Sequence, residues 1–211
     1  FIYLSTIHIY GELPKEIITE DHDSIPLNAY GLTHLLSENI CNYYNQKTET
    51  KCINVRLSNS YGSPVFSENN CWWLVINDLC KTAFSKNEIK LLSDGSPHRD
   101  FIHSSDICKA IEILIEANSN MGNNIYHLAS GDTLTILELA HIVGEVFKNR
   151  YQKEINICLP NNSTPVEPSI ENRFSIDISR MNKFGFQPKI PLKEGINELF
   201  DFLEIHGDRC K

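Results

Sequence analysis

Apolar positions recur along the chain in two alternating rhythms, and their alternation predicts strands interleaved with helices. Phe1-Ile2-Tyr3-Leu4-Ser5 has the length and apolar content of a short buried strand. A polar, proline-containing loop from Glu12 to Asn28 separates it from a helix over Ala29 to Gln46, where Leu32, Leu35, Leu36, Ile40 and Tyr43 fall at roughly helical spacing. Lys51 to Ser58 alternates through Ile53, Val55 and Leu57 and predicts a strand. It leaves through the turn-rich Asn59-Ser60-Tyr61-Gly62-Ser63-Pro64. Trp72 to Phe84 predicts a helix, and Glu88 to Leu92 a strand stopped by Asp94-Gly95-Ser96-Pro97. Ile107, Ala110, Ile111, Leu114 and Ile115 form the stripe of the next helix, and Asn124 to Ala129 a further strand.

Thr135-Ile136-Leu137-Glu138 has the form of a capping box opening a helix that buries Ile136, Leu139, Ala140, Val143 and Phe147. Glu154 to Leu159 alternates as a strand, Asn161 to Glu171 is a Pro/Asn/Ser loop, and Ser179 to Lys183 a helical turn closed by Gly185. Leu192, Ile196, Leu199 and Leu203 mark a final helix. The order is that of an α/β chain containing at least part of a parallel sheet.

With 211 residues, 41% of them hydrophobic, the chain is long enough to bury a core of one domain or one and a half. Acidic residues outnumber basic ones 27 to 19, a formal charge of −8 with no Lys/Arg-rich run, which argues against nucleic acid or an anionic membrane as partner. The longest apolar cluster, Trp72-Trp73-Leu74-Val75-Ile76, is far too short to span a bilayer. Seven cysteines at irregular spacings include no Cys-x-x-Cys pair, and the eight histidines form no His-Glu-x-x-His pattern. Free thiols in a reducing cytoplasm and no metal site are the expectation.

Candidate chemistry begins at Tyr30 and His34, four residues apart and so on one helix face. Ser5-Thr6-Ile7-His8-Ile9-Tyr10-Gly11 lies upstream and offers a Thr6 hydroxyl at the end of the first strand. A phenol ionises near pH 10, so a tyrosine acting as acid/base at neutral pH needs a neighbouring cation. Two further stretches stand out: Val55-Arg56-Leu57-Ser58-Asn59-Ser60-Tyr61-Gly62, and Asp94-Gly95-Ser96-Pro97-His98-Arg99-Asp100-Phe101-Ile102-His103-Ser104-Ser105-Asp106. Near the end come Arg173-Phe174-Ser175-Ile176-Asp177, Phe184-Gly185-Phe186-Gln187-Pro188 and Leu192 with Gly195-Ile196.

Together these resemble the extended short-chain dehydrogenase/reductase family of NAD-dependent epimerases and dehydratases of nucleotide sugars. That family reads Ser-Ser/Thr, Tyr-Gly and Tyr-x-x-x-Lys, then Arg-Leu-x-Asn-x-Tyr-Gly and Arg-Asp-Phe/Tyr-Ile-His. The resemblance implies Tyr30 as acid/base, Thr6 as its partner at the sugar oxygen, and His34 at the place of the lysine that binds the nicotinamide ribose. It implies Leu57 and Ser58 beside the nicotinamide, and Asn59, Arg99 and Arg173 on the substrate diphosphate. Arg56 is expected to satisfy backbone carbonyls beneath the site, with His103 and Asp106 stabilising the fold, Asp106 through the dipole of the following helix. Ile7-His8 stand where the dehydratases carry an acidic residue, which favours epimerase or reductase chemistry over elimination.

No Gly-x-x-Gly-x-x-Gly loop occurs, and the chain starts without Met inside an element. The expectation is a partial Rossmann-like doubly wound sheet over residues 1–63, and a smaller substrate-binding region over 64–211 interleaved with the last Rossmann elements. It would be the latter two-thirds of a complete member, with its first strand an exposed edge. The function expected is that of an NAD(P)-dependent nucleotide-sugar epimerase or reductase using NAD or NADP, cytoplasmic, and a homodimer through the tyrosine helix. The alternative is a degenerate member that binds a nucleotide sugar or a partner subunit without turnover.

Overall fold

A computed structural model describes residues 1–13, 16–117, 124–160 and 173–207. In chain order the elements are β1 (Ile2–Thr6), β2 (Ile17–Ile18), α1 (Ala29–Lys47), β3 (Ile53–Leu57), β4 (Asn59–Tyr61) and α2 (Val75–Lys86). Then follow β5 (Glu88–Lys90), β6 (His98–His103), α3 (Ser104–Glu116), β7 (Ile125–Leu128), β8 (Thr133–Thr135) and α4 (Ile136–Tyr151). The chain closes with β9 (Asn156–Cys158), β10 (Ser175–Ile176), α5 (Ser179–Asn182) and α6 (Leu192–His206). The expected loop over Asn161 to Glu171 lies outside the described residues.

The α/β class is borne out. β1, β3 and β7 form a parallel sheet in that order, with Ser5 opposite Arg56 and Arg56 opposite His127. β1 is its edge strand, and only its last two residues, Ser5 and Thr6, are buried; the expectation of a buried strand holds at that end alone. A second sheet, β4-β6-β8, mixes a parallel and an antiparallel pair, while β2 pairs with β10 and β5 with β9, both parallel.

The largest apolar cluster lies where α2, α4 and α6 meet, around Ile76, Leu139, Val143, Phe147, Ile196 and Phe200. A second packs Val55, Ile102, Leu114, Tyr126 and Phe186 between the sheet and α3. The capping box that opens α4 is present, with both Thr135 and Glu138 making their reciprocal bonds.

α1 departs from expectation. Its periodic residues Leu32, Leu36, Ile40 and Tyr43 are exposed, whereas Gly31, Glu38 and Cys41 are buried. Glu38 can be buried because Arg56 on β3 meets it with a two-pronged ion pair, Nε to Oε1 at 3.1 Å and Nη2 to Oε2 at 2.8 Å. The same guanidinium donates to the Tyr10 hydroxyl at 2.7 Å and to the Glu20 carbonyl at 3.0 Å. Arg56 thus satisfies a carboxylate and a phenol, and only one backbone carbonyl.

Candidate active site

Two caps bring the first strand and the tyrosine helix together. Thr6 ends β1 and caps a single 3₁₀ turn, Ile7–Tyr10, its Oγ1 accepting from the His8 amide at 3.3 Å. Asn28 caps α1, its Oδ1 accepting from the Gly31 amide at 2.9 Å. Gly31 is needed for the contact between them, because a Cβ there would lie 2.5 Å from the His8 carbonyl oxygen. The Tyr30 ring consequently stands edge-on to His8 at 5.8 Å and to His34 at 4.6 Å between centroids. Tyr30 remains 55% exposed and lines a cleft of about 390 Å³ whose other walls are Thr6, His8, Ser58, Asn59, Ser60 and the segment Trp73 to Val75.

A second cleft, of about 370 Å³, has His8, His98, Arg99 and Phe174 among its walls, so His8 borders both. Desolvation, then the positive fields of Arg99 and His34, hold the His8 imidazole below the usual histidine range. Arg99 donates to the His98 carbonyl at 2.8 Å and forms no ion pair with any described residue. Arg173 does not line this cleft; its Nη2 donates to Glu138 Oε1 at 2.5 Å, while its Nε is buried without a partner. His98 is also held below the usual histidine range, by desolvation and then by Arg173.

Of the residues singled out from sequence, Thr6, Tyr30, Ser58 and Asn59 meet around one cleft and Arg99 lies in the next. Asn59 Nδ2 donates to the Asp100 carbonyl at 2.9 Å. Leu57 lines neither cleft and instead packs against the Val55–Ile102 cluster. His34 adjoins Tyr30, but its Nδ1 is engaged by the Tyr3 hydroxyl at 2.8 Å. His103 caps α3 by accepting from the Ser105 amide. Asp106 sits in the first turn of α3 and also accepts from the amides of Lys189 and Ile190 at 3.0 and 3.1 Å. It is therefore a clamp on the approach to α6 as well as a charge at a helix N-terminus.

Sequence reasoning missed three things here. Trp73, 73% exposed at the cleft wall, was visible only as part of an apolar run. Tyr3 carried no signal. Asp100 is fully buried and accepts from Ser130 N, Ser130 Oγ and Gly131 N at 2.8 to 2.9 Å, fixing the end of β7 against β6; its burial raises its pKa.

The chemistry on offer is hydrogen bonding and proton transfer to a hydroxyl-bearing ligand, beside an uncompensated arginine suited to an anion. The Ser5 hydroxyl is buried without a partner, two residues from Tyr3 and so on the same side of β1. Among the described residues no group of three or more His, Cys, Asp or Glu is arranged to hold a metal ion, and no helix is long and apolar enough to cross a membrane.

Residues 1–129 match the family model described as the NAD dependent epimerase/dehydratase family. The chain is 21% identical over 203 residues to a dTDP-glucose 4,6-dehydratase of Streptomyces niveus, covering 96% of itself and 56% of that protein. It is 25% identical over 196 residues to a protein of Methanocaldococcus jannaschii named as a putative UDP-glucose 4-epimerase, covering 93% of itself and 60% of that protein. Its fold is similar to that of the UDP-glucuronic acid 4-epimerase of Bacillus cereus solved with NAD, with a TM-score of 0.78 and 21% identity over 98% of this chain and 62% of that one. The chain thus spans less than two thirds of the length of each of these three proteins.

Proposed function

Because the chain belongs to the NAD dependent epimerase/dehydratase family, we propose that it is the acid/base and substrate-gripping part of an NAD(P)-dependent nucleotide-sugar epimerase or reductase. The observation that carries this reading is the shared cleft of Tyr30, Thr6, Ser58 and Asn59, with the unpaired Arg99 one cleft away across His8. Residues 1–63 would supply the rest of the dinucleotide-binding side, and 64–211 the substrate side.

The residues present fit a nicotinamide cofactor on one side. Ser5 offers a buried hydroxyl with no partner, and Tyr30 and His34 stand together beside β1. These groups can hydrogen-bond ribose hydroxyls, and Ser58 lines the same cleft as Tyr30. The cofactor, when bound, supplies hydride acceptance and return at a sugar carbon. Tyr30 takes the proton of the sugar hydroxyl and gives it back. Thr6 Oγ1 already accepts from the His8 amide, which leaves its own hydrogen for the same sugar oxygen. Asn59 and Arg99 hold the diphosphate, and Arg173 joins them by exchanging Glu138 for a phosphate oxygen.

The exposed apolar stripe of α1 supports a homodimer packed on that helix. The buried, unpaired Cys41, Cys52 and Cys80 support a reducing, cytoplasmic setting.

Titration calorimetry with UDP tests the substrate grip. Arg99→Ala is expected to weaken binding roughly tenfold or more, the worth of a charge-assisted hydrogen bond. Equal affinity in the variant would remove Arg99 from the site, and an unmodified chain that binds neither UDP nor a UDP-sugar would refute the reading. UDP-sugar binding with no turnover in the protein bearing this chain would select a non-catalytic member instead, a reading favoured by the histidine at position 34.

A further inference from the structure

His34 occupies the position beside Tyr30 where, on the reading above, a cofactor hydroxyl is to be bound, and its ring does not stand free. Tyr3, on β1, reaches it across the gap to α1, hydroxyl to Nδ1 at 2.8 Å, with the two rings tilted at 5.7 Å between centroids. Tyr30 packs edge-on against the same imidazole, at 4.6 Å between centroids. No described residue hydrogen-bonds His34 Nε2. The remaining charged groups near this end of α1 have their own partners or sit further off. Arg56, on β3, is taken up by Glu38 one turn along, and His8 contacts the Tyr30 ring at 5.8 Å between centroids.

We propose that Tyr3 is a positioning residue that holds His34 with Nδ1 engaged and Nε2–H presented beside Tyr30, so that a histidine can donate the hydrogen bond at this place. The inference rests on the cofactor-binding reading for its purpose, though not for its geometry. A phenol is a much stronger acid than a neutral imidazole N–H, and an imidazole nitrogen a better acceptor than a phenol oxygen. Between neutral partners the proton of the Tyr3–His34 bond therefore stays on Tyr3. Nδ1 accepts, and the single ring proton goes to Nε2. If the imidazole gains a proton, Nδ1–H donates to the Tyr3 oxygen and Nε2 keeps its hydrogen. In both charge states the bond survives and Nε2 is a donor. An unengaged imidazole would exchange between tautomers, one of which turns a bare acceptor toward the ligand.

Long-range 1H–15N correlation spectra of the histidine-labelled 211-residue chain read this directly. In the neutral ring, Nδ1 is expected to be unprotonated and hydrogen-bonded, and Nε2 protonated. Tyr3→Phe should move the Nδ1 resonance toward that of a free imidazole acceptor. A proton on Nδ1 of the neutral ring, or an Nδ1 resonance unmoved by Tyr3→Phe, overturns the proposal. The unmodified chain alone decides the first point if the variant folds poorly. In the protein bearing this chain, Tyr3→Phe is expected to lower kcat/KM roughly 2- to 10-fold with His34 in place, the range of one net hydrogen bond. It should change kcat/KM less than twofold in a His34→Lys background. Equal losses in both backgrounds would mean that Tyr3 merely supports the fold. Neither arm uses UDP binding by Arg99, so this proposal and the substrate-grip reading can fail independently.

Discussion

Acidification should loosen the segment that carries the candidate site, and His127 is the group that makes it do so. The His127 ring is fully buried on β7. Its Nδ1 lies 2.9 Å from the Asp177 carbonyl, which can only accept, so Nδ1 carries the proton. Nε2 then accepts from Tyr10 at 2.5 Å. Tyr10 closes the 3₁₀ turn that bears His8, so this bond ties the sheet to the site. Desolvation pushes the imidazole down to about 4, and the cations of Arg56 and Arg180 act in the same direction.

The sign follows from that depression. Between about pH 6.5 and pH 4 the unfolded chain binds a proton that the folded one refuses, so stability falls as pH falls through this window. The full depression corresponds to about 3 kcal/mol, and for a chain of this length to roughly 6–12 °C in melting temperature. Burial raises the carboxyls of Glu20 and Asp100, and their contribution runs the other way, favouring the folded state as they protonate. The clean measurement is therefore a difference. Urea midpoints of the wild-type chain and His127→Gln are taken from pH 7 to pH 4. The wild type should lose its advantage, or deepen its disadvantage, progressively with acid. A stability difference that stays flat across the window would show that His127 does not resist protonation in the fold.

Three further outcomes are expected. Arg56→Leu leaves Glu38 buried and unpaired and the Tyr10 hydroxyl without its donor, and should cost about 3–5 kcal/mol by chemical denaturation. Adding Glu38→Leu to it should restore part of that loss, and no recovery would count against the ion pair as the cause. Gly31→Ala gains about 1 kcal/mol of helix propensity but sets a methyl 2.5 Å from the His8 carbonyl, an overpacking worth about 1–3 kcal/mol. A net loss of stability is expected, and a variant that melts higher than wild type would show that the close approach can relax freely. His34→Lys, placing a permanent cation beside Tyr30, should raise turnover or shift its pH optimum downward in the protein bearing this chain. Loss of a measurable native activity would instead show that His34 has chemistry of its own.

What was legible in the sequence follows from how local each signal is. The helices over Ala29–Lys47, Ser104–Glu116, Ile136–Tyr151 and Leu192–His206 carry their own periodicity, and α4 also its capping box, so they were readable without the rest of the chain. β4 and β6 carry no such local signal. Asn59–Tyr61 is polar and turn-like by composition and is extended because it pairs with Phe101–His103, 42 residues away. The two-residue strands Ile17–Ile18 and Ser175–Ile176 likewise exist only through each other. The site divides in the same manner. Tyr30 with His34 is a spacing on one helix, whereas Tyr3 with His34 depends on how a strand lies against that helix.

α1 shows the limit most clearly. Its apolar period reported a helix with an apolar face, but the buried side of that helix is the one bearing Gly31, Glu38 and Cys41. Periodicity records which positions shun water, not which surface covers them. On α1 the side bearing Glu38 is buried because a single arginine neutralises its carboxylate, and Leu32, Leu36, Ile40, Tyr43 and Tyr44 stand outside. An apolar stripe of that length is costly to leave in water. That stripe is what supports the proposed homodimer, and its first residue, Leu32, lies two positions along the helix from Tyr30 itself.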